Sequence, residues 1–170
     1  ALTNNFLLSQ NLNPDKNKLE LYTGLYLTEN EQNIYHQYTY ASRIKILAAI
    51  DAERFDMVLM NQEAFDAFSQ NGYLYNLEMF LLQTDPALYE TVKSNLVSNL
   101  FILEDNSIER QLDASLPYQA ITEEHYYGID LSDTKLIQNA GFEEPVYLGI
   151  IANSPRTDTV IAYLNYLLSP

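Results

Sequence analysis

With 170 residues the chain is long enough to bury a sizeable core, either as one α/β domain over residues 1–170 or as two small lobes. Its 23 acidic residues against 9 basic ones give a net charge of -14, which opposes binding to nucleic acid or to an anionic membrane surface. The absence of cysteine excludes disulfides, a thiolate nucleophile and thiolate metal sites, and no stretch approaches the roughly 20 apolar residues needed to span a bilayer.

Leu2 to Leu12 has only partial helical periodicity, and Asn13-Pro14 ends it. Asn11, Asn13, Asp15 and Asn17 alternate like the first ligands of a calcium loop, but Lys16 stands where such a loop needs glycine and Tyr22 where it needs a bidentate glutamate. An Asn/Pro/Asp turn is the reading adopted. Leu19 to Leu27 alternates, with Leu19, Leu21, Thr23, Leu25 and Leu27 on one face, and is expected to be a strand. Gly24 within it signals a bulge or a close approach of another backbone or a ligand. Thr28 to Tyr40 is polar and irregular, and it gathers Tyr35, His36, Tyr38 and Tyr40. Such a cluster suits stacking on a flat ligand or amphipathic surface packing.

The organising stretch is Arg43 to Leu82. Ile44, Leu47 and Ala48 give a first helix its apolar stripe. Met57-Val58-Leu59-Met60 is apolar on consecutive residues, which fits a strand covered on both faces, as in a parallel sheet. Asn61 is a good N-cap for the next helix, Phe65 and Phe68 can both face a core, and Asn71-Gly72 stops it. Asp85 and Pro86 then open a short helix as N-cap and N1, with Leu88, Val92 and Leu96 on its buried side. Leu100 to Leu103, the turn Glu104-Asp105-Asn106-Ser107 and Ile108 to Ala114 read as a hairpin. A crossover between lobes is placed near residues 115–120, at Leu116-Pro117.

Tyr126 to Leu131 reads as extended, followed by a brief helix capped by Ser132 and stopped by Asn139-Ala140-Gly141. Val146 to Ala152 is a strand introduced by Pro145. The last helix takes Ser154 as N-cap and Pro155 as N1, with Val160, Ile161, Leu164, Leu167 and Leu168 as its stripe. The expected fold class is therefore α/β, a mixed, mostly parallel sheet flanked by helices.

The segments Asp56-Met57-Val58-Leu59, Asn61, Phe65 with Phe68, and Gly72-Tyr73-Leu74-Tyr75-Asn76-Leu77, with the closing strand and helix YLGIIANSPRTDTVIAYLNYLL, carry a resemblance. Together, under half of the chain resembles extracytoplasmic solute-binding proteins of the type 2 periplasmic-binding fold, in a reduced or truncated version. The resemblance implies a cell-surface recognition domain. Because Ala1 is not an initiator methionine, there is room for a leader, lipid-attachment segment or anchor ahead of this numbering, and membrane association is expected only through such a segment.

Enzymatic signatures are sparse. His36 and His125 lack metal-ligand spacing, and there is no Gly-x-Ser-x-Gly elbow, Gly-x-Gly-x-x-Gly turn or Walker loop. Glu123-Glu124 and Glu143-Glu144 are adjacent acids, whereas glycosidic chemistry needs carboxyls facing across a cleft. The expectation is a non-enzymatic domain without cofactor or metal. In a parallel α/β sheet, ligands collect beyond the carboxyl ends of the strands. Here those ends carry Tyr26, Asn61 with Gln62, and Asn153 with Ser154; Tyr38 in the aromatic cluster and Arg156 in the first turn of the last helix join them as candidate ligand-binding residues. For Arg156 the competing reading is a surface ion pair with Asp158 or Glu143. The expected partner is a small-molecule ligand; the alternative is a protein of a cell-envelope complex, with the chain as its structural or interaction module.

Overall fold

The computed structural model describes residues 2–23, 25 and 37–168. Among the described residues eight α-helices and four strands follow in the order α1 (Leu2–Ser9), α2 (Gln37–Asp51), β1 (Met57–Met60), α3 (Gln62–Gln70), α4 (Leu77–Thr84), α5 (Pro86–Val92), β2 (Leu96–Asp105), α6 (Ser107–Leu112), β3 (Ala120–Asp130), α7 (Lys135–Ala140), β4 (Tyr147–Ile150) and α8 (Thr157–Leu168). A single turn of 3₁₀ helix, Lys93–Asn95, joins α5 to β2.

The strands form one sheet in the order β1-β4-β3-β2, and every neighbouring pair is antiparallel. This overturns the mostly parallel sheet expected from the sequence. In the run Met57-Val58-Leu59-Met60, Val58 and Met60 pack on one face and Met57 on the other while Leu59 is exposed, and cover on two faces does not require parallel strands. On one face, Val58 and Met60 of β1 meet Ile46, Ala49 and Ile50 of α2 and Phe65 and Phe68 of α3. On the other, Met57, Ile129, Leu148 and Ile150 meet Leu77 and Leu81 of α4, Leu88 of α5, Ile137 of α7 and Val160 and Leu164 of α8. Helix α1 lies on α8 through Phe6, whose ring meets Tyr163 edge-on at 4.8 Å.

Local signals account for most of the helix ends. Asn61 Oδ1 accepts from the Ala64 N–H at 2.9 Å, and Asp85 Oδ1 accepts from Leu88 N–H at 3.0 Å with Pro86 at N1. Gly141 ends α7 with φ 74°, the left-handed conformation glycine adopts without strain. Other boundaries moved. Ser132 does not cap α7; Thr134 does, accepting from Ile137 N–H, while α8 starts at Thr157, beyond Ser154 and Pro155. Helix α2 begins at Gln37, ahead of Arg43, and Leu77–Thr84 forms a helix capped by Asn76.

The hairpin also differs. Leu100 to Leu103 belongs to the longer β2, but Ile108 to Ala114 is not its return strand: residues 107–112 form α6, and Leu116-Pro117 leads into β3, the true partner of β2. Glu109, Arg110 and Gln111 are good helix formers, and Asn106, Asp105 and Ser107 make a helix start as readily as a hairpin turn. Residues 19–23 and 25, expected as a strand, carry no regular structure, and Gly24, Tyr26 and Leu27 lie outside the described residues. Tyr22, on the face opposite the leucines, packs inward edge-on to Phe55 at 5.0 Å, and Leu25 of the leucine face packs against the same core.

Phe65 is fully buried between α3 and the sheet, its ring 4.9 Å from that of Tyr147, whereas Leu59 on β1 is 57 % exposed. Phe65→Ala is expected to cost about 3–5 kcal/mol in urea unfolding, and Leu59→Ala to stay within about 0.5 kcal/mol of the parent. Asp85 makes a second, pH-dependent prediction. The Asn165 amide and the Leu88 N–H hold its carboxyl below the usual carboxylate range. A carboxyl depressed in the folded state adds stability above its unfolded pKa and loses it as pH falls through the lower, folded value. Asp85→Asn, which keeps a capping oxygen but loses the charge, should therefore lower stability at neutral pH and flatten the acid limb of the stability-pH curve, so that variant and parent converge below about pH 4.

Candidate functional site

Antiparallel pairing separates the residues that a parallel sheet would have gathered. Met57 pairs with Ile150 and Met60 with Tyr147, so the carboxyl end of β1 lies beside the amino end of β4. Asn61 and Gln62 consequently share an open hollow with Glu63, Asp66, Gln70, Glu144 and Pro145, while Asn153, Ser154 and Arg156 lie at the opposite end of the strand pair, beside Asp56.

At the Asp56 end, the polar groups are spent on the fold. Arg156 Nε donates to both Asp56 carboxylate oxygens at 2.9 and 3.0 Å, and its terminal nitrogen donates to the Glu53 carbonyl. Ser154 Oγ donates to Asp56 Oδ1 at 2.7 Å, and Asn153 Nδ2 donates to the Ile50 carbonyl at 2.7 Å. These bonds staple the loop after β4 to the end of α2 and the entry of β1. Arg156 thus has the carboxylate partner its position called for, and that partner is Asp56 of the same chain.

At the other end, Asn61 Oδ1 caps α3, Gln62 Nε2 donates to Asp66 Oδ1 at 2.8 Å, and Asn99 Nδ2 reaches the same oxygen at 2.9 Å. Glu63, Asp66 and Glu144 make this hollow anionic. Among the described residues no group of three or more His, Asp or Glu side chains is arranged to hold a metal ion. Tyr38 stands half-exposed on α2, well away in sequence from both ends; Tyr26, with Tyr35 and His36, lies outside the described residues. Of the adjacent acids, Glu123 pairs with His125 at 3.0 Å and Glu124 accepts from Ser98 Oγ at 2.7 Å.

A third concavity, not foreseen in the sequence, is apolar. It has a volume of about 590 Å³, follows β1, and is lined on one side by Ile46, Phe55 and Phe68 and on the other by Leu136, Phe142 and Tyr163. Ile46, Phe55 and Phe68 belong to the core on one face of the sheet, and Met57, Leu148, Val160 and Leu167, which also line the groove, to the core on the other, so the groove reaches both faces at the sheet edge. Its size falls within the range of ligand-binding cavities.

Residues 19–23 and 25, which carry no regular structure, line the groove beside that edge. Strand β1 pairs only with β4 among the described residues. The Ile151 N–H donates to the Asp56 carbonyl at 2.9 Å, which fixes the phase of the ladder. In antiparallel pairs the backbone groups turn inward on every second residue, so Val58 and Met60 address β4 while Met57 and Leu59 point their N–H and C=O groups to the open side. The signal in the sequence was the brevity of the Met57–Met60 run together with Phe55 and Phe68 around it, which the two-sided apolar pattern concealed.

No protein-family model, no curated protein and no solved structure matches this chain.

The staple predicts a modest, salt-sensitive contribution. Asp56 and Arg156 side chains are 32 % and 45 % exposed. A double-mutant cycle between Asp56→Asn and Arg156→Gln should give a coupling of about 0.5–1 kcal/mol that shrinks in 1 M salt; no measurable coupling would show that the loop is held without the ion pair.

Proposed function

We propose that this chain is a recognition domain whose binding element is the open edge of β1 with its apolar groove, and that it takes an extended, predominantly apolar peptide segment. The observation that supports this reading is the coincidence of the two features: outward-facing backbone groups of Met57 and Leu59 lie within a groove of about 590 Å³ lined by side chains from both faces of the sheet. An added strand would satisfy those backbone groups, and its alternate side chains would fall to the two sides of the sheet, where the apolar linings are. Affinity then comes from main-chain hydrogen bonds and selectivity from the fit of alternate residues to Phe55 and Phe68 on one side and Phe142 and Tyr163 on the other.

A small polar solute fits less well. The polar side chains first considered for such a ligand lie at two ends of the sheet and serve as helix cap, loop staple and carboxylate partners. A small apolar ligand is the second reading, favoured by the volume of the groove and tested alongside.

The probe is a fluorescent octapeptide of alternating valine and leucine with serine at both ends, compared with the same sequence N-methylated on alternate residues to remove one edge of donors. The plain peptide should bind and the N-methylated one should bind at least tenfold more weakly. Leu59→Pro, which removes an outward N–H and leaves the β4 ladder intact, should weaken the plain peptide by about tenfold without a comparable loss of melting temperature. Equal binding of the two peptides would sink the strand-addition reading. Saturable binding of a hydrophobic dye in the groove, unaffected by either peptide, would assign the groove to a small apolar ligand instead.

A further inference from the structure

The opposite edge of the sheet carries a different surface. The hairpin of β2 and β3 is anchored to the body as far as Phe101, whose ring lies so close to Gly72 that a Cβ there would approach it to 2.8 Å. Ser69 Oγ donates to the Leu100 carbonyl at 2.5 Å and Asn99 Nδ2 to Asp66 at 2.9 Å, so α3 holds this part of β2. Beyond it the hairpin becomes an arm: from Leu103 to Glu124 every residue except Asn106 and Arg110 is exposed.

The tip of the arm is nonetheless built to hold one shape. Asn106 Nδ2 donates to the Pro117 carbonyl at 2.9 Å, and Asn106 Oδ1 accepts from Gln119 N–H at 2.8 Å. Tyr118 donates to Asp105 at 3.1 Å, and Arg110 both donates to the Leu116 carbonyl and lies 5.7 Å from the centre of the Tyr118 ring. On this frame stand exposed apolar side chains: Ile108 at 72 % and Leu112 at 88 %, one helical turn apart on α6, with Leu103, Leu116 and Ile121 nearby in the same hairpin. A surface of this kind, fixed in advance, loses little conformational freedom on binding.

Charge selects the occupant. Between Leu103 and Glu124 the arm carries Glu104, Asp105, Glu109, Asp113, Glu123 and Glu124 against Arg110 alone, and Arg110 is already engaged with Tyr118. Hydrogen bonds from Ser107 and Ser115 hold the Asp105 and Asp113 carboxyls below their ordinary range, so both are charged at neutral pH. Nucleic acid and anionic bilayers are repelled by such a rim, and a second copy would set the same carboxylates against one another. We infer that the hairpin arm is a docking element for a protein partner that presents an apolar patch rimmed by lysine or arginine, with Ile108 and Leu112 as anchors and the six carboxylates as the complementary rim. This inference is independent of the β1 groove, which lies on the other edge of the sheet.

The probe is an amphipathic helical peptide with a leucine face and a lysine face, alongside one of leucine and glutamate and one of serine and lysine. On the intact protein, followed by anisotropy and sedimentation velocity, the leucine-lysine peptide should bind more tightly than either control and should weaken as salt rises. The double variant Ile108→Ser with Leu112→Ser, both surface positions, should cut that affinity at least tenfold at unchanged melting temperature, whereas Leu59→Pro at the other edge should leave it unchanged. Three results would each overturn the inference: no binding of the leucine-lysine peptide; equal binding to parent and double variant, which would reduce the effect to the net charge of the chain; or a self-associated parent that the double variant dissociates, which would make a second copy the occupant.

Discussion

All four residues of β4 are buried, and both of its edges are taken, by β1 on one side and β3 on the other. Strands β1 and β3 take their positions directly from that strand. Leu148 and Ile150 face the α4, α5, α7 and α8 layer, while Tyr147 and the bare backbone of Gly149 face α2 and α3. Gly149 matters because a Cβ there would come within 2.9 Å of both Leu74 and Met60, so the strand can lie this close to the α3 side only without a side chain. The chain continues the pairing past the strand proper: Ile151 bridges Leu74, and Tyr75 N–H donates to the Ile150 carbonyl at 2.8 Å. The segment between α3 and α4 is thereby fastened to the same central strand.

The direction of β4 relative to β1 decides what kind of site the sheet can carry. Parallel strands bring all their carboxyl ends to one rim, where loops and helix starts can converge on a ligand. Antiparallel strands alternate, and so each end of the sheet receives half of the loops. Asn61 with Gln62 and Asn153 with Ser154 and Arg156 are sequence neighbours of equivalent strand ends and spatial neighbours of nothing in common. Each set then does local work, capping α3 in one case and joining the α2–β1 turn to the loop before α8 in the other.

Much of the local structure was legible in the chain. Asn61, Asp85 and Gly141 ended helices through side-chain or backbone preferences that act over three or four residues, and the stripe Val160, Ile161, Leu164, Leu167 and Leu168 marked α8. What failed was long-range. Consecutive apolar residues in Met57–Met60 report cover on both faces and are silent on strand direction. Ile108 and Leu112 read as strand residues, because an apolar side chain exposed on a projecting helix looks in sequence like one destined for a core. Leu19 to Thr23 shows the converse: clean alternation is a propensity, and without a partner ladder among the described residues it does not become a strand. The apolar groove was hidden for the same reason, since its lining is assembled from residues 19–23 and 25 together with side chains of α2, β1, α3, α7 and α8, and no single segment carries its pattern.

The two edges of the sheet manage their exposure by different means. On β2, α3 covers part of the edge and satisfies the Leu100 carbonyl through Ser69, after which the strand runs on into a charged arm. Strand β1 has no second strand partner among the described residues; its four residues carry no charge, no proline and no bulge, and residues 19–23 and 25 line the groove beside it. Net charge completes the arrangement. At -14 the chain repels its own copies, so an open apolar edge and an apolar arm can both remain accessible without driving self-association. The acidic composition, which read in the sequence as a reason against nucleic acid and membranes, is in the folded molecule the condition under which these two surfaces stay available.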